Sequence, residues 1–169
     1  MNAISNRSLK SVNWSTVVMF ALGFWLSSSL IIDTLIIPGL LAAGMMAQDG
    51  FASAGYLIFG VFNRVELLCA AVVLTGCFVL RRHHLFTHHQ ERWAILLSGT
   101  LLAVALIYTY ILTPQISSLG LNLNLFEASR TMPTAMTSLH EVYWGLEVIK
   151  FMAGATLLRW CYHRSCPIA

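Results

Sequence analysis

Trp93-Ala-Ile-Leu-Leu-Ser-Gly-Thr-Leu-Leu-Ala-Val-Ala-Leu-Ile-Tyr-Thr-Tyr-Ile-Leu-Thr113 contains no Asp, Glu, Lys, Arg or His. A helix rises about 1.5 Å per residue, and crossing a hydrocarbon core of about 30 Å takes roughly 20 apolar residues. The run therefore reads as one membrane span, bracketed by Arg92 before it and Pro114 after it. Three more stretches qualify by the same measure: about 15–37, about 54–80 and about 135–158. The whole chain agrees. Of its 169 residues 57% are hydrophobic and 10% charged, against about 25% charged in a globular domain, and the mean hydropathy is +0.72. That composition excludes a disordered chain, a coiled coil, a nucleic-acid binder and an ordinary cytosolic enzyme. The four cysteines form no disulfide framework, since Cys69 and Cys77 lie inside an apolar run. The expected fold is all-α, a four-span transmembrane helix bundle forming a single domain over 1–169, with no internal repeat.

Orientation follows from the loop cations, which collect on the cytoplasmic side. Arg7 and Lys10 precede the first span, Arg81, Arg82 and Arg92 border the middle loop, and Arg159 and Arg164 follow the last span. The other two connections, about 38–53 and about 114–134, hold only Arg130. Both termini are then expected to be cytoplasmic, which requires an even number of spans. The first apolar stretch follows a basic N-terminus like a signal peptide, but it exceeds a typical 7–15-residue signal core and reads as a retained span. Pro38 should stop or kink that helix, with Gly39–Ala47 continuing along the outer interface. The alternation in Leu119-Gly-Leu-Asn-Leu-Asn-Leu-Phe126 reads as an interfacial loop or short helix, because an isolated strand would leave its edges unpaired. Pro133 fits the first turn of the last helix.

Ionisable groups at membrane depth are costly and face the bundle interior. Six are expected there: Asp33, Arg64, Glu66, Glu141, Glu147 and Lys150, accompanied by Asn63, His140 and Tyr143. Met136, His140, Tyr143, Glu147, Lys150 and Gly154 recur at alternating spacings of four and three, which places them on one helical stripe. Arg64 and Glu147 come out at similar depth, and a guanidinium can bridge a carboxylate in bidentate fashion; the direct pair is expected to be Arg64–Glu147. The six sum to −2, so one carboxylate, Glu141 or Asp33, is expected to hold a proton or bind a cation. Two readings of the cluster stay open: charges that lock helices in register, and a polar binding site.

Weaker signals lie at the edges. His83, His84, His88 and His89 could offer imidazoles to a metal, but the neighbouring Arg81 and Arg82 equally describe a basic loop beside anionic headgroups. Cys161, His163 and Cys166 form a still looser group. Trp14, Tyr56, Trp93 and Trp160 read as interfacial anchors, and Gly23, Ser27 and Ser28 as small residues permitting close helix approach. No phosphate loop, paired-cysteine zinc motif or serine elbow is present, and no cofactor is called for.

Phe24-Trp-Leu-Ser-Ser-Ser with Ile37-Pro38-Gly, Phe62-Asn-Arg-Val-Glu66, Leu112-Thr-Pro114-Gln-Ile, and Leu139-His140-Glu-Val-Tyr143 with Glu147 occur in this order. Together they resemble the transmembrane-protein-205-like family, known in bacteria as domain of unknown function 4149, over about residues 15–158. The resemblance implies a four-helix integral membrane protein, with His140 and Pro114 as family positions. Animal relatives are associated with the handling of a platinum drug, which implies transport or trafficking.

Three functional classes follow. The first is a membrane protein that binds or moves a cation, proton or small solute through the polar cluster. The second is a non-catalytic scaffold or assembly factor. The third, an intramembrane enzyme using His140 and Glu141 as acid and base, lacks a nucleophile, so the expectation is no enzyme. Expected partners are the lipid bilayer and a second copy or another membrane protein, without nucleic acid. The expected location is a bacterial plasma (inner) membrane or an internal membrane.

Overall fold

The computed structural model describes residues 13–45, 51–82, 88–126 and 134–165, and every regular element in them is helical. Helix α1 runs Trp14–Ile31, passes into a π-helical segment at Ile32–Ile36, and continues as α2, Ile37–Ala42. Helix α3 spans Phe51–Arg82 and α4 spans His88–Ile107; a second π-helical segment, Tyr108–Leu112, leads into α5, Thr113–Phe126, and α6 spans Thr134–Ser165. Asn13 caps α1 by accepting from the Thr16 backbone N–H. Three stretches, Trp14–Ala42, Ser53–Arg82 and His89–Leu119, are long and apolar enough to cross a membrane. Helix α6 has 32 residues but is more polar, carrying His140, Glu141, Glu147 and Lys150, and it does not meet the same test.

The four long helices form a ring. α1 packs on α3 and α6, and α4 packs on the same two, so α1 lies diagonally across from α4 and α3 from α6. Inward positions follow three-and-four spacing. On α3 they are Asn63, Glu66, Ala70, Val73, Cys77 and Leu80; on α6, Glu147, Lys150, Ala153, Leu157 and Cys161. This is the seam expected of helices that pack nearly parallel. The lower part of the core is apolar, built from Val18, Leu22, Ala70, Val73, Cys77, Leu101, Ala105, Leu157 and Cys161. The outside is apolar too: Phe20, Leu68, Leu96 and Met152 are each at least 60% exposed, as befits helices whose solvent is lipid.

The two π segments share one construction. Each has five residues, and in each the N–H of the next residue bonds five positions back, Ile37 to the Ile32 carbonyl and Thr113 to the Tyr108 carbonyl. A proline then follows at once, Pro38 or Pro114. Proline has no N–H and its ring clashes with the carbonyl four residues back; widening the turn by one residue moves that carbonyl aside. Pro38 therefore does not stop the helix, which continues to Ala42. Gly44, at φ 70, supplies the left-handed conformation just beyond. The expected continuation to Ala47 runs outside the described residues, as does Pro133. Residues 113–126 form α5, the short helix of the two alternatives.

The repetition goes further than the prolines. A helix, a π turn, a proline and a short helix, followed by a 32-residue return helix, occur once in 14–82 and again in 88–165. The two hairpins sit on opposite sides of the ring, so the architecture is a structural repeat where none was expected. Close helix approach also lies elsewhere than expected. Nothing stands within 4 Å of a Cβ built on Gly23. A Cβ on Gly76 would instead strike Val18 of α1, and one on Gly154 would meet the Leu26 side chain at 2.9 Å.

Candidate functional site: a buried carboxylate and ammonium cluster

Lys150 is the centre of the polar site. It is 1% exposed, and its ammonium donates to Glu147 Oε1 at 2.6 Å, Glu66 Oε1 at 2.8 Å and Ser29 Oγ at 3.0 Å. One side chain thus ties α6 to α3 and α1. Its position follows from helical spacing: Glu147 is three residues back on the same face, and Glu66 and Ser29 each occupy inward positions of their helices. Glu66 Oε1 also accepts from Trp25 Nε1 at 2.7 Å and Ser29 Oγ at 3.2 Å. Tyr108, from the second π segment, lays its ring 5.3 Å from the ammonium, a cation–π contact.

Towards α2 the cluster continues through Tyr143. Its hydroxyl donates to Asp33 Oδ1 at 2.7 Å, joining α6 to the first π segment. The Tyr143 ring packs on Tyr108, centroids 5.2 Å apart, and the Tyr108 hydroxyl donates to the Tyr143 carbonyl at 3.3 Å. Asp33 and Glu147 lie near enough for each to feel the other's charge. Two buried oxygens, Asp33 Oδ2 and Glu147 Oε2, have no hydrogen-bond partner among the described residues. Asn63 makes a separate tie nearby, donating to Thr113 Oγ1 at 2.6 Å.

The depth of the site can be set from the basic end. Ser29 lies fifteen residues from Trp14, and Glu66 fifteen from Arg81, about 22 Å of helix in each case. The cluster therefore sits well inside the bundle, near the middle of its long helices.

Of the expected cluster, Asp33, Asn63, Glu66, Glu147 and Lys150 are buried together, and Tyr143 is half-buried among them. Arg64 is a correction. It is exposed on α3, on the face that also carries the exposed Val61 and Leu68, and Glu147 pairs with Lys150 instead. The reason is angular: Glu66 owns the inward direction of α3, and two positions earlier the helix has turned about 200°. Glu141 is also exposed. His140 is half-buried, its Nδ1 2.8 Å from the Met136 carbonyl in its own helix, so it borders the site without entering it. Sequence reasoning passed over Trp25, Ser29 and Tyr108. The signal for the first two was available, since Val18, Leu22, Trp25, Ser29 and Asp33 form one stripe on the first span; Tyr108 carried none beyond its place near Pro114.

The metal readings gain nothing. His83 and His84 lie outside the described residues, as does the side chain of His88; His89 accepts from Trp93 Nε1 at 3.3 Å. Cys161 is buried in the apolar core while His163 is exposed, and Cys166 is not described. Among the described residues no group of three or more His, Cys, Asp or Glu side chains is arranged to hold a metal. Comparisons with family models, with curated proteins and with solved structures find no match for this chain.

Proposed function

We propose that this chain is a four-span integral membrane protein that binds a small cation, a proton or an inorganic ion, at the cluster between α1, α3 and α6. The fourth span is α6. Its outward face carries Val148 and Met152, both more than half exposed, so it offers lipid an apolar surface while its charges point inward. Four spans with the basic loops on one side put both termini in the cytoplasm, of a bacterial plasma membrane or an internal membrane. The kinship to the transmembrane-protein-205-like family belongs to the same proposal.

One observation carries the binding reading. Glu66 and Glu147 pair with a single buried cation, Lys150, Asp33 is buried in the same site, and among the described residues two oxygens, one of Asp33 and one of Glu147, have no donor. Ion pairing that served stability alone would be balanced, because an uncompensated buried charge costs several kcal/mol. A ligand that binds only the folded protein raises its stability. Thermal melting of the purified protein in detergent, across H⁺, Na⁺, K⁺ and Ca²⁺, should therefore show at least one cation that stabilises wild type and not Asp33→Asn. A melting temperature indifferent to all four would overturn the reading.

The scaffold alternative rests on a different observation. Lys150 spends all three of its hydrogens on three helices, which would hold them in register with no ligand. A packed site without a cation response would leave that role in place.

A further inference from the structure

The donors around the cluster can be counted one by one. Lys150 gives its three hydrogens to Glu66, Glu147 and Ser29. Trp25 and Ser29 give theirs to Glu66. Tyr143 gives its only hydroxyl hydrogen to Asp33 Oδ1, and Tyr108 gives its own to the Tyr143 carbonyl. Each of these donors is spent, yet among the described residues Asp33 Oδ2 and Glu147 Oε2 remain buried without a partner, in residues 8% and 2% exposed. An ionised carboxylate only accepts, so the two cannot satisfy each other while both are charged. Like charges in one poorly hydrated site disfavour each other's ionisation.

Resting on the cation-binding reading above, we propose that Asp33 and Glu147 act as one acid pair that holds a single exchangeable proton, loaded from the side of the membrane on which His140 and Glu141 lie. A proton from water bonds to one oxygen of the pair, and the resulting O–H donates to the facing carboxylate. One proton thereby satisfies two orphaned atoms and takes the three-carboxylate, one-ammonium site from −2 to −1. Release returns the proton to water and leaves both oxygens as acceptors again. A metal ion fits less well, since hard cations take six or more oxygens and no metal-holding group is arranged among the described residues.

All the elements packed against the pair take part. Glu66 from α3 and Lys150 from α6 form the adjoining ion pair, and Tyr108 from the second π segment and Tyr143 from α6 close the near side. The entry side follows from burial. Asp33 is the least buried carboxylate of the three, and Tyr143, His140 and the exposed Glu141 continue along α6 from it. On the other side lies the apolar core from Leu22 to Cys161, where Ser98 is the buried polar side chain and no ionisable carboxylate, ammonium or imidazole is buried among the described residues.

Infrared difference spectroscopy of the protein in metal-free vesicles tests this. A protonated-carboxyl stretch should appear as the pH falls, shift in D₂O, and vanish in Asp33→Asn and in Glu147→Gln. Asp33→Asn carries a permanent amide donor in place of the proton, so it should fold, and its melting temperature should lose most of wild type's pH dependence. In vesicles of one orientation the band should follow the pH on the Glu141 side only. A band that ignores pH but disappears on adding Na⁺ or K⁺ would overturn the proton while keeping the cation site. A band that follows pH equally in Asp33→Asn would place the proton elsewhere and overturn the pair. Absence of any response to pH or metal would end both readings.

Discussion

At the scale of single residues, Lys150 and Arg64 show how differently the same charge behaves in two places. Lys150 is buried against two carboxylates, and removing one partner of such a set leaves an uncompensated charge at a cost of about 3–5 kcal/mol. Lys150→Ala should therefore strongly lower thermal stability in detergent, with Glu66→Ala close behind, whereas Arg64→Ala should leave the melting temperature nearly unchanged. Equal losses for Arg64 and Lys150 would place Arg64 inside the cluster after all. A double-mutant cycle on Glu147 and Lys150 should show strong coupling, and one on Glu147 and Arg64 little. The residue types of the cluster were legible in the sequence, because charge stands out in an apolar span. Which cation met which carboxylate was not: at 100° per residue, two positions separate an inward side chain from an outward one.

At the scale of elements, the helices follow from apolar run length, but their irregularities follow from proline. Pro38 reads as a stop or a kink and Pro114 as the close of a span; both helices instead continue through a widened turn. Proline→Ala at either site restores a backbone donor. Amide exchange across 32–39 or 108–115 should then slow relative to wild type, and an unchanged rate would show that the π turn is held by side-chain packing alone. The close contacts between elements give another expectation. Gly154 faces Leu26 across α6 and α1, so Gly154→Leu should destabilise by about 1–3 kcal/mol through overpacking, while Gly23→Leu, which meets open space, should be nearly neutral. The sequence pointed to Gly23 because composition marks a small residue without saying which face it is on.

At the scale of the molecule, two helical hairpins of like construction close a ring around an inward stripe that is apolar for most of its length and charged near one end. The proposed topology has a direct check. In a cysteine-free background, a membrane-impermeant maleimide applied to intact cells should label Asp49→Cys and Glu127→Cys, and should reach Asn2→Cys and Ala169→Cys only after permeabilisation. Labelling of Ala169→Cys in intact cells would remove α6 as a span. Parallel repeats of this kind place substrate sites at the interface of the halves in some transporters; here Asp33, Glu66 and Ser29 come from the first half and Tyr108, Glu147 and Lys150 from the second.

The sequence by itself determined the helical class, three of the membrane-length helices and the small set of ionisable residues within them. These depend only on local composition and on the cost of placing polar groups in hydrocarbon. Only the tertiary structure decided the partners of Lys150, the exposure of Arg64 and Glu141, the two π turns and the burial of Asp33 and Glu147 with an oxygen of each left without a donor. Each of those depends on the rotation of one helix against another, which follows from how the whole ring packs.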